Sequence, residues 1–209
     1  LVAMGFGVVT SVQGRGVLAE NHPANLGAFN LQRASAALYA QCDAMLVVGS
    51  RLRSNETMKY TLALPATRYR IDANLQAQGR AYSSELFIHG DASVTLHALA
   101  DALAAYRAHD AWHGAVQAAR SAALEQVEEG LGVYTTLKNE VCQAVQKQLH
   151  GSVAWVRDIT LSNTMWGNRC VALGHPRAGV HALGGGIGQG LAMGIGAAVG
   201  CEVNKKKRP

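Results

Sequence analysis

The 209-residue sequence predicts an α/β fold with a parallel sheet, and two observations support that prediction. Short apolar runs recur along the first half of the chain, and segments with helical character separate them, as in βαβ units. The run Ala44–Gly49 is apolar throughout instead of alternating, which is typical of a strand buried on both faces of a parallel sheet. The expected class is an open parallel α/β sheet followed by the start of a second α/β unit.

Local composition predicts the elements of the first domain, residues 1–128. β-branched residues and continuous apolar runs indicate strands, glycine clusters indicate turns, and Asp91 or Ser93 is the expected N-cap of a helix. The expected order is a strand at 8–12, a turn at 13–16, a helix at 34–42, a strand at 44–49, a helix at 55–64, strands at 68–72 and 86–90, and a helix to about 107. Residues 46–49 and 70–72 are predicted to be the central strands.

The second domain is predicted over residues 129–209. Glu125–Gly130 is polar and ends in glycine, so we expect a linker there and a domain boundary near Gly130. A helix is predicted over 134–149. The β signal then begins again at 153–159 and returns at 180–183, before a glycine-rich helix.

The glycine-rich segment is the strongest local signal in the chain. Eight glycines lie between Gly184 and Gly200, and apolar residues recur at every fourth position: Leu183, Ile187, Leu191, Ile195 and Val199. Glycine inside a helix costs about 1 kcal/mol relative to alanine, so this many glycines indicate close approach of backbone to a ligand or to another helix. The spacing does not match the GxGxxG fingerprint of dinucleotide sites. A tightly packed helix and a cofactor-facing turn both remain open.

Two alternative interpretations of other segments are disfavoured. Residues 182–201 resemble a membrane span in length and in GxxxG spacing, but Gln189 and the scarcity of large apolar residues argue against insertion. His109 and His113 lie four residues apart, but Asp110 stands where a metallohydrolase needs glutamate, so a solvated helix face is favoured over a metal site. No membrane partner and no metal ligand are predicted.

Charge and cysteine usage limit the partners and the location. The formal net charge is +5, and Lys205–Arg208 supply four of these charges, so the basic character belongs to the tail and predicts no nucleic-acid partner. The four cysteines show no CxxC spacing, which indicates free thiols in a reducing compartment and a cytoplasmic protein. Ser162, Asn163 and Thr164 follow a predicted strand, where they either cap a helix or hold an anion.

Taken in order, these segments resemble the thiamine-diphosphate-dependent family that includes acetolactate synthases and 2-oxo acid decarboxylases. The chain is similar in particular to the acetolactate-synthase-like decarboxylases of guanidino-2-oxo acids, through residues 53–57 and 162–169. The segments that carry the wider resemblance are 9–17, His22-Pro23, Leu26-Gly27, 46–51 and 69–72 for the central domain, and 164–166 and 185–197 for the diphosphate-side domain.

The resemblance implies a Rossmann-like central domain followed by the start of an α/β thiamine-diphosphate-binding domain. It also implies decarboxylation of a small 2-oxo acid with thiamine diphosphate and Mg²⁺, in a homodimer or homotetramer. The Gly185 carbonyl would face the aminopyrimidine beside Gly186, and Ile187 would support the bent cofactor. Ser162 and Asn163 occupy diphosphate-contacting positions, where acetolactate synthases carry Gln-His.

The activating glutamate and the GDG…N metal motif of the family are absent, so no catalytic residue and no metal ligand is predicted. The chain is therefore expected to be a middle piece of a longer subunit and to be inactive alone.

The competing hypothesis is a nucleotide-binding module, because the central domain of true acetolactate synthases carries FAD. Their Asp-Asp-Arg-Val-Thr-Gly segment is replaced here by Leu52–Thr57, which makes FAD doubtful and disfavours acetolactate synthesis proper.

Overall fold

The computed structural model describes residues 1–107, 112–148, 154–182 and 184–206, which belong to two compact units. The first unit contains residues 1–7 and 30–123, and the second contains residues 8–29 and 124–209. This division by contacts assigns residues 8–29 to the second unit. The domain boundary predicted between residues 128 and 129 stays a prediction.

The first unit contains a three-stranded parallel sheet in the order β3–β4–β5. Strand β3 is Ala44–Val48, β4 is Thr67–Asp72 and β5 is Leu86–His89. Each strand forms where a continuous apolar or β-branched run was predicted, so the parallel α/β class is confirmed for this unit.

Only one of the two predicted central strands is central. Strand β4 pairs on both sides and buries Arg70 and Ile71. Strand β3 is an edge of this sheet, where Val47 is buried and Ala44 is exposed. The prediction that β3 is a central strand buried on both faces is therefore wrong, because within the described residues it pairs only with β4.

Three helices accompany this sheet: α1 (Arg33–Tyr39), α2 (Ala92–Ala102) and α3 (Trp112–Leu131). Helix α2 begins because the Asp91 carboxylate accepts a hydrogen bond from the backbone N–H of Val94, at 3.0 Å. Asp91 is therefore the N-cap, and Ser93 is not. The helix ends at Ala102, five residues before the predicted end.

The helix predicted over 55–64 does not form. A single 3₁₀ turn spans Ser54–Glu56, and Met58, Lys59 and Tyr60 then take φ values of 49°, 57° and 69°. Three consecutive left-handed residues cannot continue a right-handed helix. The Thr57 hydroxyl donates to the Arg53 carbonyl at 2.9 Å, a local side-chain bond of the kind that competes with regular structure.

Within its described residues, the second unit contains two short parallel strand pairs, the end of α3 and two further helices. Strand β1 (Val8–Val9) pairs with β2 (Asn25–Gly27), and β6 (Trp155–Arg157) pairs with β7 (Gly179–His181). Helix α4 is Thr135–Gln148 and α5 is Gln189–Lys206. Parallel pairing here also agrees with the predicted α/β class. The predicted helix at 134–149 and the predicted strands at 153–159 and 180–183 each have one end, residue 149, 153 or 183, outside the described residues.

The polar segment Glu125–Gly130 is helical, so the predicted linker is wrong. Its residues continue α3, and the helix ends at Gly132, whose φ of 54° reverses the chain. The Glu128 carboxylate forms an ion pair with Lys138 of α4, and its carbonyl accepts from Thr135 Oγ1 at 3.0 Å. These contacts tie the end of α3 to α4.

A buried ion pair organises the second unit. The side chains of Arg15 and Glu20 are 1% and 2% exposed, and Arg15 Nη2 lies 2.6 Å from Glu20 Oε2. Glu20 Oε2 also accepts from the backbone N–H of Leu173 at 2.8 Å, while Arg15 donates to the Val171 carbonyl. The pair therefore joins the loop after β1 to the segment before β7.

Candidate functional site

The glycine-rich segment forms a turn at residues 184–188 before α5 begins. Gly184, Gly185 and Gly188 have φ values of 66°, 77° and 90°, a region that L-residues rarely adopt. A Cβ atom at any of these three positions would meet nothing within 4 Å. Backbone conformation therefore requires glycine here, and the space beside the turn is open.

The Asp158 carboxylate holds this turn through backbone N–H groups. It accepts from Gly188 at 3.1 Å, from Gly190 at 3.1 Å and from Ile159 at 2.7 Å. The Ile159 bond first, and then those from Gly190 and Gly188, hold the pKa of Asp158 below its usual range. The charged carboxylate thus supplies the acceptors that fix the start of α5.

The parallel pairing of β6 and β7 explains how a residue thirty positions away reaches the turn. Arg157 is opposite His181 in the register, so both strands end at the same edge of the sheet. Asp158 follows β6 directly, and the glycine turn follows β7 after Ala182. Such strand ends are where α/β sheets bind ligands.

Of the residues predicted near the cofactor, Gly185 and Ile187 are exposed and Gly186 is partly exposed. The Ile187 side chain is 82% exposed. The Gly186 carbonyl accepts from Gln189 Nε2 at 3.1 Å, which braces the turn from the first residue of α5. Their assignment to a cofactor stays a prediction, and the turn offers open backbone beside an apolar side chain.

Ser162 and Asn163 lie at the start of a π-helical turn, Asn163–Gly167. Neither caps it with its side chain, and neither does Thr164. Instead, the Thr160 hydroxyl oxygen accepts from the Asn163 backbone N–H at 3.1 Å, so capping by Ser162, Asn163 or Thr164 is wrong. Thr160 was missed because it precedes the predicted small polar run.

The two predicted diphosphate contacts differ in exposure. Ser162 is exposed, and its hydroxyl lies 3.2 Å from that of Thr160. Asn163 is 7% exposed, and its Oδ1 has no hydrogen-bond partner among the described residues. A buried acceptor atom does not itself attract an anion, so geometry favours Ser162 over Asn163 as a phosphate donor. Both contacts stay predictions.

The described residues do not form a metal-binding site. Among the residues that the structure describes, no three His, Cys, Asp or Glu side chains are grouped so as to hold one. Asp158 is already occupied by backbone donors. Of the histidine pair considered above, His113 is on α3, and His109 lies outside the described residues. The described side chains therefore do not fit Mg²⁺.

An apolar row continues from the turn along α5. Ile187, Leu191, Ile195 and Val199 are 82%, 79%, 61% and 56% exposed. A contiguous exposed apolar row is characteristic of an interaction surface. No helix within the described residues is long and apolar enough to cross a membrane.

Paired glycine substitutions in α5 test the contact with Asp158. A Cβ at Gly190 would lie 2.7 Å from the Asp158 Cβ, whereas a Cβ at Gly194 would meet nothing within 4 Å. Gly190→Ala is therefore expected to destabilise the chain, while Gly194→Ala stabilises it by up to about 1 kcal/mol through helix propensity. Urea unfolding of both variants measures the difference, and equal stability would contradict the close contact.

Comparison with known proteins places these features in a family context. Residues 2–99 match the family model described as thiamine pyrophosphate enzyme, central domain. The chain is also 30% identical over 193 residues to a probable 2-ketoarginine decarboxylase from Pseudomonas aeruginosa. That similarity covers 91% of this chain and 34% of the relative, so the chain spans about a third of the length of the curated protein it matches.

Proposed function

Residues 2–99 belong to the central-domain family of thiamine pyrophosphate enzymes, and on that premise we propose that the chain is part of a thiamine-diphosphate-dependent 2-oxo acid decarboxylase. The 30% identity to a probable 2-ketoarginine decarboxylase supports the reaction class. That identity extends over 91% of the chain, so it also includes the segment with the glycine turn.

The observation that carries the proposal is the glycine turn held by Asp158. Bound thiamine diphosphate acts as the electron sink for loss of carbon dioxide from a 2-oxo acid. Gly185 and Gly186 would present backbone to its ring, and Ile187 would support it with a rigid β-branched side chain. Ser162 would donate to the diphosphate. We include Mg²⁺ because the family uses it, and we do not propose that any described residue binds it.

We propose a guanidino-2-oxo acid as the substrate class, because the relative is named for 2-ketoarginine. FAD is not part of the proposal, since Leu52–Thr57 departs from the flavin-binding pattern of acetolactate synthases. We also propose a cytoplasmic location, which is supported by the free thiols of Cys42, Cys142, Cys170 and Cys201. The absence of a nucleic-acid partner stays a prediction.

The decisive experiment measures carbon dioxide release with thiamine diphosphate and Mg²⁺ present. A polypeptide that contains this chain within a subunit as long as the relative is expected to decarboxylate 2-ketoarginine faster than pyruvate. Residues 1–209 alone are expected to show no turnover, since the described residues supply no group of side chains that could hold the metal. Turnover by residues 1–209 would refute the inactivity, and no release from either acid by the longer protein would refute the function.

We also propose that the functional protein is a homo-oligomer in which a second copy covers the apolar row of α5. Leu191→Glu is expected to shift the longer protein to a smaller species in analytical ultracentrifugation, because a charge cannot be buried unpaired in an apolar interface. Leu137→Glu is the control, since Leu137 is 56% exposed on α4, outside the row. An unchanged sedimentation coefficient for Leu191→Glu would contradict this partner.

A further inference from the structure

The second unit contains a cavity of about 330 Å³ that is separate from the glycine turn. Two arginines line it, Arg15 from the loop after β1 and Arg157 from the end of β6. His181, opposite Arg157 on β7, lines the same space, and Val12 and Leu173 add apolar surface. The cavity thus combines cationic and apolar walls.

The two arginines are not equally satisfied. Arg15 donates Nε and Nη2 to the two oxygens of Glu20, at 2.7 and 2.6 Å, and also reaches backbone carbonyls. Arg157 is 5% exposed and donates Nη1 to Asn168 Oδ1 at 2.6 Å. Its buried Nε has no hydrogen-bond partner among the described residues. The hydrogen bond from Arg157 Nη1 therefore goes to a neutral amide oxygen and not to a carboxylate.

The nearby Glu20 charge opposes the lowering of the Arg157 pKa, but Glu20 is shared with Arg15. Both carboxylate oxygens already accept from Arg15, and Oε2 also accepts from the Leu173 N–H. A third arginine, Arg169, adds to the excess, because its Nε is also buried and unpartnered within the described part of the chain. A buried guanidinium is costly without an anionic partner. A bound anion in the adjacent cavity would therefore stabilise these buried positive charges.

We propose that this cavity binds the oxyanion group of a small organic molecule, a carboxylate or a phosphate, through the Arg157 guanidinium. The planar fork of arginine matches both groups, and the apolar wall at Val12 and Leu173 accommodates a short carbon skeleton. A volume of about 330 Å³ is within the range of small-molecule sites. The proposal does not depend on thiamine diphosphate chemistry.

The protonation of Arg157 agrees with this role. Burial first, and then the nearby Arg15 charge, lower the pKa of Arg157 to about 10. The group therefore stays charged at neutral pH, although its environment disfavours that charge. A bound anion would raise this pKa again and stabilise the unit that contains it.

Calorimetric and thermal-shift titrations of residues 1–209 with inorganic phosphate and with pyruvate test the site. Sodium chloride at matched ionic strength separates a specific site from general screening. We expect saturable stabilisation by at least one of the two oxyanions, and the arm that responds identifies the group as phosphate or carboxylate. Arg157→Gln is expected to weaken that binding by about tenfold or more. Arg80→Gln, an exposed arginine of the first unit, is the matched control and should bind normally.

A second readout remains informative if Arg157→Gln fails to fold. In ¹⁵N-labelled wild-type protein, the buried Arg157 Nε–H resonance should shift on titration with the responding oxyanion, and Arg157→Lys should keep the charge but lose affinity. An Arg157 Nε–H signal that ignores both oxyanions, or stabilisation that chloride reproduces, would overturn the proposal.

Discussion

Glu20→Gln is expected to lower the free energy of unfolding of the second unit by about 3–5 kcal/mol. The substitution keeps the shape of the side chain but leaves the Arg15 guanidinium without its counter-ion, in a site where the arginine side chain is 1% exposed. It also weakens the acceptor for the Leu173 N–H, which links Glu20 to the segment before β7. When one member of a buried ion pair is removed, the remaining charge stays buried without a partner, so the protein loses much stability. This loss is far larger than the stability that the intact pair adds relative to apolar side chains of the same size.

Tryptophan fluorescence during urea unfolding isolates this effect. Trp155 and Trp166 both lie in the second unit, with ring centroids 6.4 Å apart, and Trp112→Phe removes the signal of the first unit. Glu140→Gln is the control, because Glu140 is exposed on α4 of the same unit and surface substitutions of this kind change stability by no more than about 0.5 kcal/mol. A loss for Glu20→Gln no larger than that of the control would contradict a structural role for the buried pair.

The parallel sheet of the first unit could be predicted because its signal is local. Strands β4 and β5 are short apolar or β-branched runs, and the strands lie where those runs are. The helix predicted over 55–64 failed for the opposite reason. Composition there permits a helix, but the left-handed conformations of Met58, Lys59 and Tyr60 depend on tertiary context that no local pattern records.

The candidate site likewise combines a feature that is local in sequence with contacts that depend on the fold. Glycine spacing marked residues 184–200 as unusual but left a tightly packed helix and a turn both open. The structure has a turn at 184–188, and α5 follows it. Asp158 and Arg157 gave no comparable signal, since one acid and one arginine at the end of a strand form no periodic pattern. Asp158 bonds to residues 30 and 32 positions away, and only the parallel pairing of β6 with β7 brings them together.

The end of β6 therefore serves two separate tasks. Arg157 is the last residue of β6, and Asp158 follows the strand directly. Arg157 lines the cavity of the second unit, and the next residue, Asp158, holds the glycine turn. Substitutions at the two positions should thus have separable effects, with anion binding lost at Arg157 and cofactor binding altered at Asp158.

Asp158→Asn is expected to loosen the glycine turn and to raise the thiamine diphosphate concentration that half-saturates the longer protein by about tenfold or more. The amide keeps one carbonyl acceptor but places an NH₂ donor against the backbone N–H groups of Gly188 and Gly190, so part of the N–H set loses its acceptor. A turn displaced by about 1 Å is enough for a large loss, since misplacement on that scale costs on the order of 10²-fold in rate.

The pH dependence of amide hydrogen exchange in residues 1–209 provides a second, independent test of this prediction. The pKa of Asp158 is lowered from an ordinary value of 3.8, so its stabilising effect is complete above that pH and is lost as the pH falls through the lowered value. Hydrogen exchange of the Gly188 and Gly190 amides should therefore be faster in Asp158→Asn than in wild type at neutral pH, and the two should converge in acid. Asp101→Asn, at an exposed position of α2, should match wild type throughout.

Equal amide protection in Asp158→Asn and wild type at neutral pH would show that the carboxylate does not hold the turn. Faster exchange with unchanged cofactor binding would instead separate the turn from the cofactor site.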